Sequence, residues 1–73
     1  MPLAKTVAHN LRLLRTQQRL SQETVAQKAG LSVSYISMLE RGDRTPPLDT
    51  LEALGKALRV DPVSLLMEKA GHK

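Results

Sequence analysis

Few side chains in this 73-residue, 8.1 kDa chain can do chemistry, and their spacing limits what kind. It has no cysteine, which excludes disulfides and thiolate metal sites. Its two histidines, His9 and His72, stand far apart with no carboxylate cluster to complete a zinc site. There is no nucleophile–base pair and no glycine-rich loop to cradle a phosphate. A chain this short leaves little room for a substrate cleft, so neither an enzyme nor a cofactor, metal or small-molecule ligand is expected. What remains is charge. The formal net charge is +4, and the excess is unevenly placed. Lys5, Arg12, Arg15 and Arg19 against Glu23 leave +3 in residues 1–24, the middle third carries +1, and residues 49–73 balance. A small basic domain attracts polyanions, though a solvated surface explains +4 equally well.

The elements that position these groups read as helices. No stretch alternates apolar and polar over strand length. Val7, Leu11 and Leu14 fall at helical spacing and predict helix 1 over Thr6–Gln18, with Thr6 as N-cap. Ser21 caps a short helix 2 over Gln22–Ala29. Thr24 stands where a capping box would want Glu or Gln, and Gly30 follows as the C-terminal turn. Ser32 caps helix 3, Val33–Glu40, which stops near Gly42. Pro46 and Pro47 forbid continuation. Leu48, Leu51, Leu54, Ala57 and Leu58 define helix 4. Asp61-Pro62 starts a fifth helix with Val63, Leu65, Leu66 and Met67. Residues 68–73 read as a frayed tail. The chain is thus a single all-α domain, with its core at about residues 6–67. It has no apolar run long enough for a membrane span and no secretory signal.

Helices 2 and 3, joined by Gly30-Leu31-Ser32, carry the informative pattern. Two short helices braced across a tight glycine-containing turn leave one face of the second helix free. Ala26 is small where the helices approach, and Leu31, Ile36 and Leu39 lock helix 3 to the body.

The run Ser21-Gln22-Glu23…Ala26…Ala29-Gly30-Leu31-Ser32…Tyr35-Ile36-Ser37…Leu39-Glu40-Arg41-Gly42 resembles the Xre family of helix-turn-helix domains, which includes phage lambda repressor and Cro. Pro47-Leu48…Leu51…Leu54…Leu58…Leu65-Leu66 extends the resemblance over about Val7–Leu66. It implies a compact five-helix, lambda-repressor-like fold. The implied function is a sequence-specific transcription regulator of cytoplasmic, nucleoid-associated, bacterial or phage type. Restriction–modification controller proteins and Cro-like repressors are the small stand-alone forms. In that reading helix 3 enters the major groove of double-stranded DNA. The base-facing positions are Val33, Ser34, Ser37 and Met38. Gln22, Ser32, Tyr35, Arg41, Arg44 and Thr45 flank the phosphate backbone, and Arg15 with Glu40 form a structural ion pair. Arg12 and Arg19 are left as solvated charges.

This sequence departs from many relatives at the base-facing positions, where no Gln, Arg or Lys appears. Bidentate base reading cannot be assumed there, and Val33 and Met38 would press on thymine methyls. Readout would lean on phosphate contacts and DNA deformability. One module reads few base pairs, so a homodimer on an inverted repeat is expected, its half-sites about 34 Å apart. With no sequence left for a separate dimerisation domain, the seam falls to Val63, Leu66 and Met67; the bland alternative is that all three finish the monomer core. Glu23, the single acid of helix 2, offers a thin surface for RNA polymerase. The rival reading is an Xre-like antitoxin that masks a partner toxin; the short segment after helix 5 argues against it.

Overall fold

The computed structural model describes residues 3–68. Four α-helices and a 3-10 turn follow in order: α1 Leu3–Gln17, α2 Gln22–Ala29, α3 Val33–Glu40, α4 Leu48–Leu58, and the 3-10 turn Pro62–Leu66. The all-α fold thus has four helices and a tight turn rather than five helices. Pro62 and the Asp61 cap start the last element as expected, Asp61 Oδ1 accepting from the Val63 amide at 3.0 Å. Five residues between fixed ends are wound tightly instead of completing an α-helix, and Met67 lies beyond them in extended conformation. The start of α1 also differs. It lies at Leu3, ahead of Thr6, because Leu3, Ala4 and Lys5 are all good helix formers. Of the expected frayed tail, residues 69–73 lie outside the described residues.

The core is one cluster fed by every element. Val7, Leu11, Val25, Ala26, Ile36, Leu39, Leu51, Leu54, Leu58 and Leu65 are buried. Leu48 departs from the helix 4 stripe. It is 77% exposed, because the first turn of α4 overhangs the core. α1 packs on α3 and the 3-10 turn, and α2 packs on α3 and α4. Each function-bearing helix therefore rests on two others.

Helix ends are closed by the residues the sequence supplies. Ser21 Oγ accepts from the Thr24 amide at 3.0 Å and donates to the Thr24 hydroxyl at 2.9 Å. Ser32 Oγ accepts from the Tyr35 amide at 3.1 Å. Gly30 ends α2 at φ +71°, and the following Leu31 amide returns to the Ala26 carbonyl at 2.8 Å. This left-handed step turns the chain between α2 and α3.

A close approach inside α4 sets where the 3-10 turn can sit. A Cβ at Gly55 would lie 2.9 Å from the Val60 carbonyl oxygen and 3.0 Å from Pro62 Cγ. Val60 belongs to the connection that carries the chain into the 3-10 turn and Pro62 is the turn's first residue, and the carbonyl is backbone. Gly55→Ala is expected to cost about 1–3 kcal/mol through this overpacking, although alanine is the better helix former. Urea unfolding checks it; an unchanged midpoint would show that the connection yields freely.

Candidate nucleic-acid interface

α3 is held from behind by a single carboxylate. Glu40, its last residue, is only 4% exposed. Arg15 Nε donates to Glu40 Oε2 at 2.6 Å and Arg15 Nη2 donates to Oε1 at 3.0 Å, a two-pronged pair linking α1 to α3. Gln22 Nε2, at the start of α2, donates to the same Oε1 at 3.0 Å. The Arg15 Nη1 group donates to the Leu20 carbonyl at 2.8 Å, in the connection between α1 and α2. Three helices thus converge on one buried charge pair. The hydrogen bond to Glu40 raises the Arg15 pKa further above its ordinary value, burial opposing the shift and the Glu40 charge adding to it.

Arg12 is exposed, as expected of a solvated charge, but it also makes a specific contact. Its Nη2 donates to the Glu40 backbone carbonyl at 2.9 Å. A cation thereby satisfies a carbonyl left open at the end of α3 and meets the negative end of the helix dipole. Asn10 carries a role that nothing in the sequence analysis assigned to it. Its Nδ2 faces the carbonyls of Leu65 at 2.9 Å, Met67 at 2.7 Å and Ser64 at 3.3 Å, while its buried Oδ1 has no partner. A signal for it existed, since Asn10 interrupts the Val7–Leu11–Leu14 stripe with a polar group on the buried face.

The front of α3 stays open. Val33 and Ser34 are exposed at its N-terminal end, and Ser37 is half-buried one turn on. Met38 differs: it is half-buried and packs against the core, because the space beside Ile36 and Leu39 is not filled by those two alone. Ser32, Arg41, Arg44 and Thr45 are exposed around this face, and Tyr35 is half-buried against the core. Gln22 heads α2, where helix N–H groups suit an anion, but one of its amide hydrogens is already committed to Glu40. Arg41 Nη1 donates to Ser37 Oγ and Arg41 Nε to Asp43 Oδ2, each at 3.2 Å.

A caped pair of short helices, the second braced behind and bare in front, is the geometry of a helix-turn-helix. The sequence pattern of the helix-turn-helix family matches residues 11–65. The chain belongs to that family. Its relatives make the helix-turn-helix protein a DNA-binding transcription regulator and not an enzyme. It is 42% identical over 66 residues to the HTH-type transcriptional regulator y4dJ of Sinorhizobium fredii, covering 90% of this chain and 86% of that one. The structure of the restriction–modification controller protein C.AhdI from Aeromonas hydrophila superposes with a TM-score of 0.81 at 40% identity, over 85% of this chain and 94% of that one. C.Esp1396I, solved on a 25 base pair operator site, matches with a TM-score of 0.78 at 32% identity, over 86% of this helix-turn-helix chain and 83% of its own. Among the described residues no helix is long and apolar enough to cross a membrane.

Proposed function

We propose that this regulator binds an inverted-repeat DNA operator as a homodimer, with α3 in the major groove. The observation that carries the reading is the two-sidedness of α3. Its C-terminal end is fixed by Glu40 to α1 and α2, while Val33 and Ser34 at its N-terminal end face solvent. A recognition helix needs both properties. Gln22, Ser32, Tyr35, Arg44 and Thr45 surround that face and supply donors for phosphates, which set register rather than sequence.

Dimerisation is supported by the apolar surface at the other end of the chain. Val63 is 57% and Met67 52% exposed, and Leu66 is half-buried. Val63 and Leu66 line a shallow groove of about 280 Å³ together with Leu48, Leu51 and Pro62. Leu48 therefore joins the seam proposed for Val63, Leu66 and Met67. Contact with RNA polymerase would fall to Glu23, which is exposed in the first turn of α2.

The two classes of contact separate in a salt titration. Arg44→Ala should weaken all duplexes about equally and flatten the salt slope by roughly one unit. Replacing Ser34 by alanine should leave the slope unchanged and shift the preferred sequence. If both variants bind a selected operator as the parent does, with the same slope and preference, the assigned face is wrong.

A further inference from the structure

The open face of α3 carries no side chain of its own that can tell guanine or adenine from the other bases by a bidentate contact. One guanidinium nevertheless lies over it. Val33, Ser37 and Arg41 follow one another at four-residue intervals, so they form one line along α3 and its C-cap. Arg41 keeps helical backbone angles, φ −83° and ψ −10°. Helical side chains lean back toward the N-terminus, and this one does, bringing Nη1 to 3.2 Å from Ser37 Oγ. After the chain turns at Gly42, Asp43 comes back beside Arg41 and accepts from its Nε at 3.2 Å. Two of the three guanidinium nitrogens are thereby held. Nη2 makes no hydrogen bond among the described residues, and the side chain is 61% exposed.

We propose that Arg41 reads a base edge. Stationed over Ser37 and buttressed by Asp43, its guanidinium donates from Nη1 and Nη2 to the O6 and N7 acceptors of a guanine. The inference rests on α3 entering the major groove, as proposed above. Family resemblance implies a backbone contact for Arg41, but a cation that only neutralises a phosphate needs no anchor on the recognition face. An arginine fork held at two nitrogens loses less freedom on making a planar, two-bond contact. Asp43 and Ser37 then act as positioning residues, and Ser37 tethers the reader instead of reading directly. This places a guanine-specific donor pair on a face whose other residues, Val33 and Ser34, suit methyl groups and single hydrogen bonds.

The test uses the full chain and an operator selected from random duplexes. Each guanine of the operator is replaced in turn by 7-deazaguanine, which keeps its base pair but loses the N7 acceptor. Fluorescence anisotropy should show the parent chain losing about tenfold or more in affinity at one guanine per half-site. Arg41→Ala should be insensitive to that replacement while responding normally to the others, and Ser37→Ala should lie between. Arg41 is exposed, so the variant is expected to keep the parent's urea midpoint. An Arg41→Ala chain that binds operator and unrelated duplex equally more weakly, with its 7-deazaguanine profile unchanged, would make Arg41 a phosphate contact and overturn the inference. An operator without guanine in its half-sites would overturn it as well. Failure of the parent chain to select any sequence would instead remove the major-groove reading on which it stands.

Discussion

Glu40→Ala lowers the unfolding free energy by about 3–5 kcal/mol. A domain of this length holds only roughly 4–11 kcal/mol in total, so much of the population unfolds at moderate temperature. The size follows from what is left behind. Arg15 is mostly buried, its side chain 15% exposed, and would keep its charge with the carboxylate gone. Gln22 Nε2 loses its acceptor at the same time. Arg15→Ala should be costly by the same mechanism, because Glu40, with its side chain 5% exposed, is then the uncompensated charge. Combining Arg15→Met with Glu40→Leu should recover most of the loss, since an apolar pair of similar volume carries no desolvation cost. Urea unfolding of Arg15→Met, Glu40→Leu and the combined variant closes the cycle. Near-additive losses would show that the charges do not act as a unit.

Asn10→Asp is the second large effect. The substitution hardly changes shape, so no cavity enters the comparison. It turns a two-donor amide nitrogen into an acceptor facing the carbonyls of Ser64, Leu65 and Met67. An ionised carboxylate can donate nothing to them, and a buried unpaired charge costs several kcal/mol. A loss of about 3 kcal/mol or more is expected. Asn10→Leu should cost less, about 1–3 kcal/mol, because it also removes the Oδ1 that has no partner. Thermal or urea midpoints ordered parent, Leu, Asp support this role. An Asp variant as stable as the parent would contradict it. The bonds matter beyond stability, because they fix the 3-10 turn that bears Val63 and Leu66 on α1.

The parts of this architecture written in short-range code were legible. Ser21 and Ser32 are N-caps and Gly30 a left-handed C-cap, and each acts within four residues of its own position. Leu65 is buried, as the five-helix reading required. What escaped the sequence depends on partners brought together only by folding. Asn10 reaches carbonyls 54 to 57 residues away, and Arg12 reaches one 28 residues away. Neither distance has a periodic signature. The winding of residues 62–66 escaped because five residues fit either helix type, and the tie to Asn10 acts from outside the segment. In the site, helical periodicity puts Ser37 and Arg41 on one line, but it does not say that Asp43, beyond the turn at Gly42, comes back to hold the guanidinium.

On the proposed reading, two copies of this regulator place α3 in successive major grooves. Selection of bound duplexes from a random library by the purified full chain tests it most directly. The enriched sequences should form an inverted repeat, its half-site centres about one helical turn, roughly 34 Å, apart. Recovery of no preferred sequence, or of a single unrepeated half-site, would contradict the claim.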